Sequence, residues 1–175
     1  MRPGVQQDCG GQQDGGRRQV IEPARSAIDR LVPDLRAGGF IRVKSSNYQD
    51  EFNQGNVKIN YCCGRYGEEL MCFVTDACQF RFQMSSYLEI VDPPAAAQYR
   101  ALGLENDVDQ LDFDHTNYAA ISHGYYLTMQ ALLSRFLRNW PRGKSTVDGE
   151  AKERMTQRDR EVLASFGLSR EQTYL

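Results

Sequence analysis

The residues best suited to chemistry lie in one short acidic segment. Its carboxylates and the histidine that follows them are Glu105, Asp107, Asp109, Asp112, Asp114 and His115. Several carboxylates in a tight loop are typical of calcium sites, but an EF-hand loop that began at Asp107 would place Tyr118 where the bidentate Glu belongs. Like charges this close repel one another, and a cationic surface relieves that repulsion. We therefore predict that these six residues form a solvated segment that binds a basic protein partner.

The cysteines are odd in number, and no secretory signal precedes them. Such a chain is expected to keep reduced thiols rather than a framework of disulfides. Structural zinc sites usually carry paired ligands such as C-x2-C. The cysteines do not supply two such pairs; they are Cys9, Cys62, Cys63, Cys72 and Cys78. The sequence therefore predicts no metal site and no cofactor, and it favours buried cysteines that pack as small apolar residues.

A thiol enzyme is the first alternative. It would bring one of three thiols to one of two imidazoles in a pocket between the sheet and the long helix, because a nucleophilic thiolate needs a nearby base. The candidates are Cys62, Cys63 and Cys72 for the thiol and His115 and His123 for the imidazole. Sequence alone does not pair these residues, so the alternative stays open and we assign no catalytic residue.

Charge also limits the partners. The chain has 21 Lys and Arg against 23 Asp and Glu, a formal net charge of −2 and a pI of about 5.7. Proteins that bind nucleic acid normally carry a basic excess, so nucleic acid is not the expected partner. An accessory nucleic-acid role is the third hypothesis, because residues 135–160 hold more basic than acidic side chains.

The elements that must position these residues form one domain. At 175 residues with 41% hydrophobic side chains, the chain is long enough to bury one core. Residues 1–19 are rich in Gly and Gln and are predicted to be a disordered tail, which leaves residues 20–175 as a single α+β domain. No apolar run approaches the roughly 20 residues that span a bilayer, and no export signal is visible. We therefore expect a cytoplasmic protein with no membrane partner.

Apolar residues at helical spacing predict the helices. They cover residues 20–38, 86–92, 94–102, 118–140 and 150–166. Pro33 is expected to kink the first helix or to break it in two. Ser86 and Glu89 form a capping box that begins the second. The stripe from Tyr118 to Trp140 is the strongest and predicts one long amphipathic helix.

Alternation of apolar and polar residues predicts strands over residues 40–44, 48–53, 57–63, 70–74 and 78–84. A turn centred between residues 65 and 66 would place Tyr61 opposite Leu70 on one apolar face. Met71 and Phe73 then lie on the other face, so the fourth strand is expected to be covered on both sides. The predicted fold is α+β, with an N-terminal helix, an antiparallel four- or five-stranded meander, and C-terminal helices packed on one face.

One part of the sequence resembles a known kind of protein. The stretch Pro33-Asp34-Leu35-Arg36-Ala37-Gly38-Gly39-Phe40, the Gly55 turn and the pair Glu69-Leu70 resemble the helix, Gly-Phe and strand openings of small uncharacterised bacterial α+β proteins. Some of those are immunity proteins that neutralise a toxin. The resemblance implies a small cytosolic protein that acts by binding, often with an acidic surface against a basic toxin. Our leading prediction is thus a non-enzymatic immunity or adaptor protein.

Overall fold

The computed structural model describes residues 13–46, 48–63, 70–94 and 118–165. In these ranges the elements, in chain order, are α1 (Gln13–Ala37), β1 (Ile41–Ser45), β2 (Gln49–Gln54), β3 (Val57–Cys63), β4 (Leu70–Thr75), β5 (Arg81–Gln83), α2 (Met84–Val91), α3 (Tyr118–Asn139) and α4 (Gly149–Ser165). The α+β prediction is confirmed. None of these helices is long and apolar enough to cross a membrane. The predicted helix over 94–102 lies, apart from residue 94, outside the described residues.

The five strands form one antiparallel sheet in the order β1-β2-β3-β4-β5, which is the predicted meander. Phe52, Ile59 and Val74 lie opposite one another on β2, β3 and β4, and all three are fully buried. The helices cover this face, because α1 contacts β1 and β3 while α2 contacts β4 and β5. α3 packs on α1 and α2. The prediction that helices pack on one face is therefore confirmed.

The register of the β3–β4 hairpin differs from the prediction by two residues. Tyr61 lies opposite Cys72 rather than Leu70, and Leu70 pairs with Cys63. The faces are nevertheless as predicted, because side chains alternate with a period of two and a two-residue shift preserves every orientation.

The first helix is longer and more continuous than predicted. It begins at Gln13, so it includes residues 13–19 of the segment predicted to be a disordered tail. It also continues through Pro33 to Ala37 instead of breaking there. Leu31 and Leu35, on either side of the exposed Pro33, are fully buried. Tertiary packing of this apolar face therefore holds the helix together despite the missing backbone donor.

The last strand is shorter than predicted, and the predicted capping box is absent. A carboxylate oxygen of Asp76 accepts hydrogen bonds from the backbone N–H of Cys78 and Phe80, each at 2.9 Å. Gln79 has a φ of 63°, so residues 76–80 form a turn instead of a strand. α2 then begins at Met84 with no side-chain cap.

The long helix buries the face that its sequence predicts. Five residues of the predicted stripe are at most 5% exposed: Tyr125, Met129, Leu132, Phe136 and Trp140. They join the buried residues of α1 and the inner sheet face in one hydrophobic core.

Candidate binding surface

The predicted acidic binding segment lies outside the described residues. This holds for Glu105, Asp107, Asp109, Asp112, Asp114 and His115. Their role as a contact for a basic partner therefore stays a prediction. His123 is described, and it is exposed on α3.

Cys62 and Cys72 have neighbours other than imidazoles. Cys72 is buried, and its Sγ lies 4.0 Å from the Sδ of Met84. Burial raises the pKa of Cys72 well above the usual range, and burial also raises the pKa of the facing Tyr61 hydroxyl. Cys62 lies on the opposite sheet face, where burial raises its pKa and the guanidinium of Arg81 partly offsets that rise. Neither site favours a thiolate.

These environments predict a fixed order of thiol labelling. With iodoacetamide at neutral pH, followed by peptide mapping, we expect the exposed Cys78 to react at least about a hundredfold faster than Cys72, because Cys72 becomes accessible only on unfolding. Urea above the unfolding transition should abolish the difference. Equal rates for Cys72 and Cys78 in the folded protein would contradict the burial of Cys72 and would favour the thiol enzyme.

A cleft of about 600 Å³ lies between α1 and α3. Ala37, Leu127 and Leu137 form apolar parts of its wall, while Asp34 and Arg142 contribute opposite charges. No cysteine or histidine among the described residues lines it. The predicted enzyme pocket lay elsewhere, between the sheet and the long helix, and aromatic core side chains occupy that region. In the described part of the chain, no three His, Cys, Asp or Glu residues are grouped as metal ligands.

Several cations of the basic region 135–160 already have partners. Lys144 Nζ lies 2.9 Å from a carboxylate oxygen of Asp148. Arg158 pairs with Glu89 on α2. Lys152 Nζ lies 4.9 Å from the centre of the Phe80 ring. Because of these contacts, fewer cations of this region can bind the phosphates of a nucleic acid than the sequence alone suggests.

The outward side of the sheet presents an ordered surface, which we call the open face. The strand register shows which residues lie on this face. One row across the strands is Asn53, Lys58, Thr75 and Arg81, the next is Glu51, Asn60, Phe73 and Gln83, and a third is Gln49, Cys62 and Met71. On the edge strand β1, Ile41 extends the first row and Lys44 the second. Among the described residues, the helix side chains of the hydrophobic core cluster with the strand residues of the other face.

Two large apolar side chains lie at the centre of the open face. Met71 and Phe73 alternate with the buried residues of β4 and are only half-buried. The guanidinium carbon of Arg81 lies 4.3 Å from the centre of the Phe73 ring, a cation–π contact. At the edge, Ile41 is 68% exposed and Val43 is 55% exposed. The described helices pack against the other face, so within the described residues Met71 and Phe73 are not covered on both sides as predicted.

A hydrogen-bonded acidic side chain, Glu51, lies in the same row as Phe73, with Asn60 between them. Asn60 Nδ2 donates to one carboxylate oxygen of Glu51 at 3.3 Å, and Lys58 Nζ lies 3.9 Å from the other. Asn60 is 6% exposed. The open face thus combines an apolar centre with cationic and amide groups, which can bind a ligand but include no arranged nucleophile and base.

Comparison with known proteins adds no relative: no protein-family model, no curated protein and no solved structure matches the chain.

Proposed function

We propose that this protein is a non-enzymatic binding protein of the immunity or adaptor kind, acting in the cytoplasm, and that a protein partner docks on the open face of its sheet. One observation carries the proposal: β4, a central strand, turns Met71 and Phe73 away from the core. Aromatic residues, Met and Arg are enriched where protein interfaces are most buried. Arg81, stacked on Phe73, supplies the third of these residue types.

Two further observations support binding over catalysis. Cys62 and Cys72 lie in environments that raise their pKa values, and the exposed His123 is not among the groups that interact with either thiol. Binding of a partner on the open face, by contrast, requires no chemical step. The prediction that residues 105–115 contact a basic partner is independent of the open face and can hold together with it.

Site-specific photo-crosslinking in the source cells tests the proposal. A photoreactive amino acid replaces Gln83, which is exposed on the open face, and, as a matched control, the exposed Glu153 of α4. We expect a discrete protein adduct from position 83 and none from position 153. The partner, once purified, should bind with defined stoichiometry in calorimetry, and Phe73→Ala should raise its Kd about thirtyfold, as for a hot-spot residue of about 2 kcal/mol.

A control variant separates the open face from apolar surface in general. Leu127, which is 41% exposed on α3, can be replaced by Ala. We expect Leu127→Ala to change the Kd by no more than about twofold. Equal adducts from positions 83 and 153, or a Kd unaffected by both Phe73→Ala and Met71→Ala, would contradict the proposal.

A further inference from the structure

We infer that the partner segment that docks on the open face is acidic, an inference that rests on the proposed function. The charges of the face point this way. Among the described outward residues of the strands, Lys44, Lys58 and Arg81 are cations and Glu51 is the anion. The face therefore carries an excess of positive charge on a protein whose formal net charge is −2.

The negative charge of Glu51 is compensated within the protein. One of its carboxylate oxygens lies 3.9 Å from Lys58 Nζ, and the other accepts from Asn60 Nδ2 at 3.3 Å. Its side chain is 20% exposed, against 42% for Lys58. An approaching partner therefore meets the cations before it meets this carboxylate.

Arg81 has no such compensation. It is exposed, it is stacked on the Phe73 ring, and no carboxylate among the described residues pairs with it. A partner that covers Phe73 must also remove water from the guanidinium above the ring. Burial of an unpaired charge is costly, whereas a carboxylate placed against the planar guanidinium restores two charge-assisted hydrogen bonds. A partner that covers Phe73 must therefore also place a carboxylate against Arg81.

The apolar centre favours an acidic protein segment over a nucleic acid. Met71, Phe73 and Ile41 offer contacts for aliphatic side chains, which a nucleic acid lacks. Three cations are also few for a polyanion, because nucleic-acid affinity comes chiefly from many phosphate contacts. A segment that alternates acidic and apolar residues satisfies both the cations and the apolar pair.

Fluorescence anisotropy with defined probes and the full chain tests the inference. The probes are a labelled nonapeptide of alternating Glu and Leu, the same peptide with Lys in place of Glu, and a 12-nucleotide oligouridylate. We expect the Glu peptide to bind at least about tenfold more tightly than the Lys peptide, with an affinity that falls as salt rises. The oligouridylate should bind more weakly than the Glu peptide.

Charge reversal locates the binding. The double variant Lys58→Glu with Arg81→Glu should weaken binding of the Glu peptide by at least about tenfold. The matched control, Arg154→Glu with Arg160→Glu on exposed positions of α4, makes the same change in net charge and should alter binding by no more than about twofold. Arg81→Gln is a milder variant that keeps the test decisive if the double variant does not fold, as judged by circular dichroism.

The outcomes separate the inference from the proposed function. If the Glu peptide fails to bind, or binds no better than the Lys peptide, the inference is overturned. The proposed function would still stand if the adduct at position 83 forms and Phe73→Ala weakens the purified partner. If the oligouridylate binds most tightly and loses affinity with the charge reversal, the open face is a nucleic-acid surface and both are overturned.

Discussion

Replacement of Asp76 by Ala is expected to lower the free energy of unfolding by about 3 to 5 kcal/mol, because three backbone donors would lose a charged acceptor. Asp76 is 2% exposed. One carboxylate oxygen accepts from the N–H groups of Cys78 and Phe80, and the other accepts from the N–H of Val147 at 3.1 Å. Hydrogen bonds to a charged group in such a site are among the stronger ones in proteins.

The effect is large because Asp76 connects two distant parts of the chain. The turn that follows β4 also donates from Ala77 N–H to the carbonyl oxygen of Ser145 at 2.8 Å. The carboxylate therefore holds the turn before β5 against the loop between α3 and α4. Its loss should free both segments together, so that amide hydrogen exchange at Phe80 and Val147 accelerates more than exchange at the centre of β3.

Urea unfolding followed by circular dichroism measures the expected change. Asp148→Ala is the matched control, since it removes the same carboxylate from the same loop at a side chain that is 71% exposed. We expect that control to cost no more than about 0.5 kcal/mol. Asp76→Asn should fall between the two, because an amide keeps one acceptor oxygen. A loss below about 1 kcal/mol for Asp76→Ala would contradict the role assigned to this carboxylate.

Replacement of Trp140 by Ala is expected to cost about 3 to 5 kcal/mol of folding free energy, the range for a large aromatic residue removed from a core. Trp140 is 1% exposed and has the largest of the fully buried side chains. Its ring centroid lies 5.4 Å from that of Phe136, 5.7 Å from that of Tyr87 and 6.2 Å from that of Phe82. These rings come from α3, α2 and β5, so one substitution leaves a cavity where three elements meet.

The indole also orders the chain after α3. Its Nε1–H donates to the carbonyl oxygen of Lys144 at 2.8 Å, and Lys144 Nζ lies 5.1 Å from the indole ring. Burial alone would lower the pKa of Lys144, but hydrogen bonds to Asp148 and to the Tyr87 hydroxyl outweigh it and raise that pKa. The ammonium therefore stays charged against the aromatic pair at neutral pH.

One variant separates the packing of Trp140 from its hydrogen bond, and a second is a control at an exposed aromatic residue. Trp140→Phe keeps much of the packing but loses the N–H donor, so we expect a cost of about 1 to 2 kcal/mol. Tyr48→Ala removes an aromatic residue that is 43% exposed and should cost no more than about 0.5 kcal/mol. Chemical unfolding of the purified variants gives the values. Similar costs for Trp140→Ala and Tyr48→Ala would show that the aromatic cluster is not the centre of the core.

The alternation of residue types along the strands predicts part of the open face, but not all of it. Alternation predicts Tyr61 and Leu70 on one side of the sheet and Met71 and Phe73 on the other, and the structure confirms these sides. The stack of Arg81 on Phe73 depends on the pairing of β4 with β5. That pairing follows a turn whose shape Asp76 determines, so local alternation alone did not reveal it.

The sequence by itself determined the fold class, the antiparallel meander and the side of the sheet that the residues of β3 and β4 take. It did so because burial imposes periods of two on strands and 3.6 on helices, and these periods survive a shift of register. Only the tertiary structure decided that Tyr61 faces Cys72, that α1 continues through Pro33, and that Asp76 holds Val147. Each of these depends on contacts between residues distant in sequence, where packing and hydrogen bonding outweigh local preference.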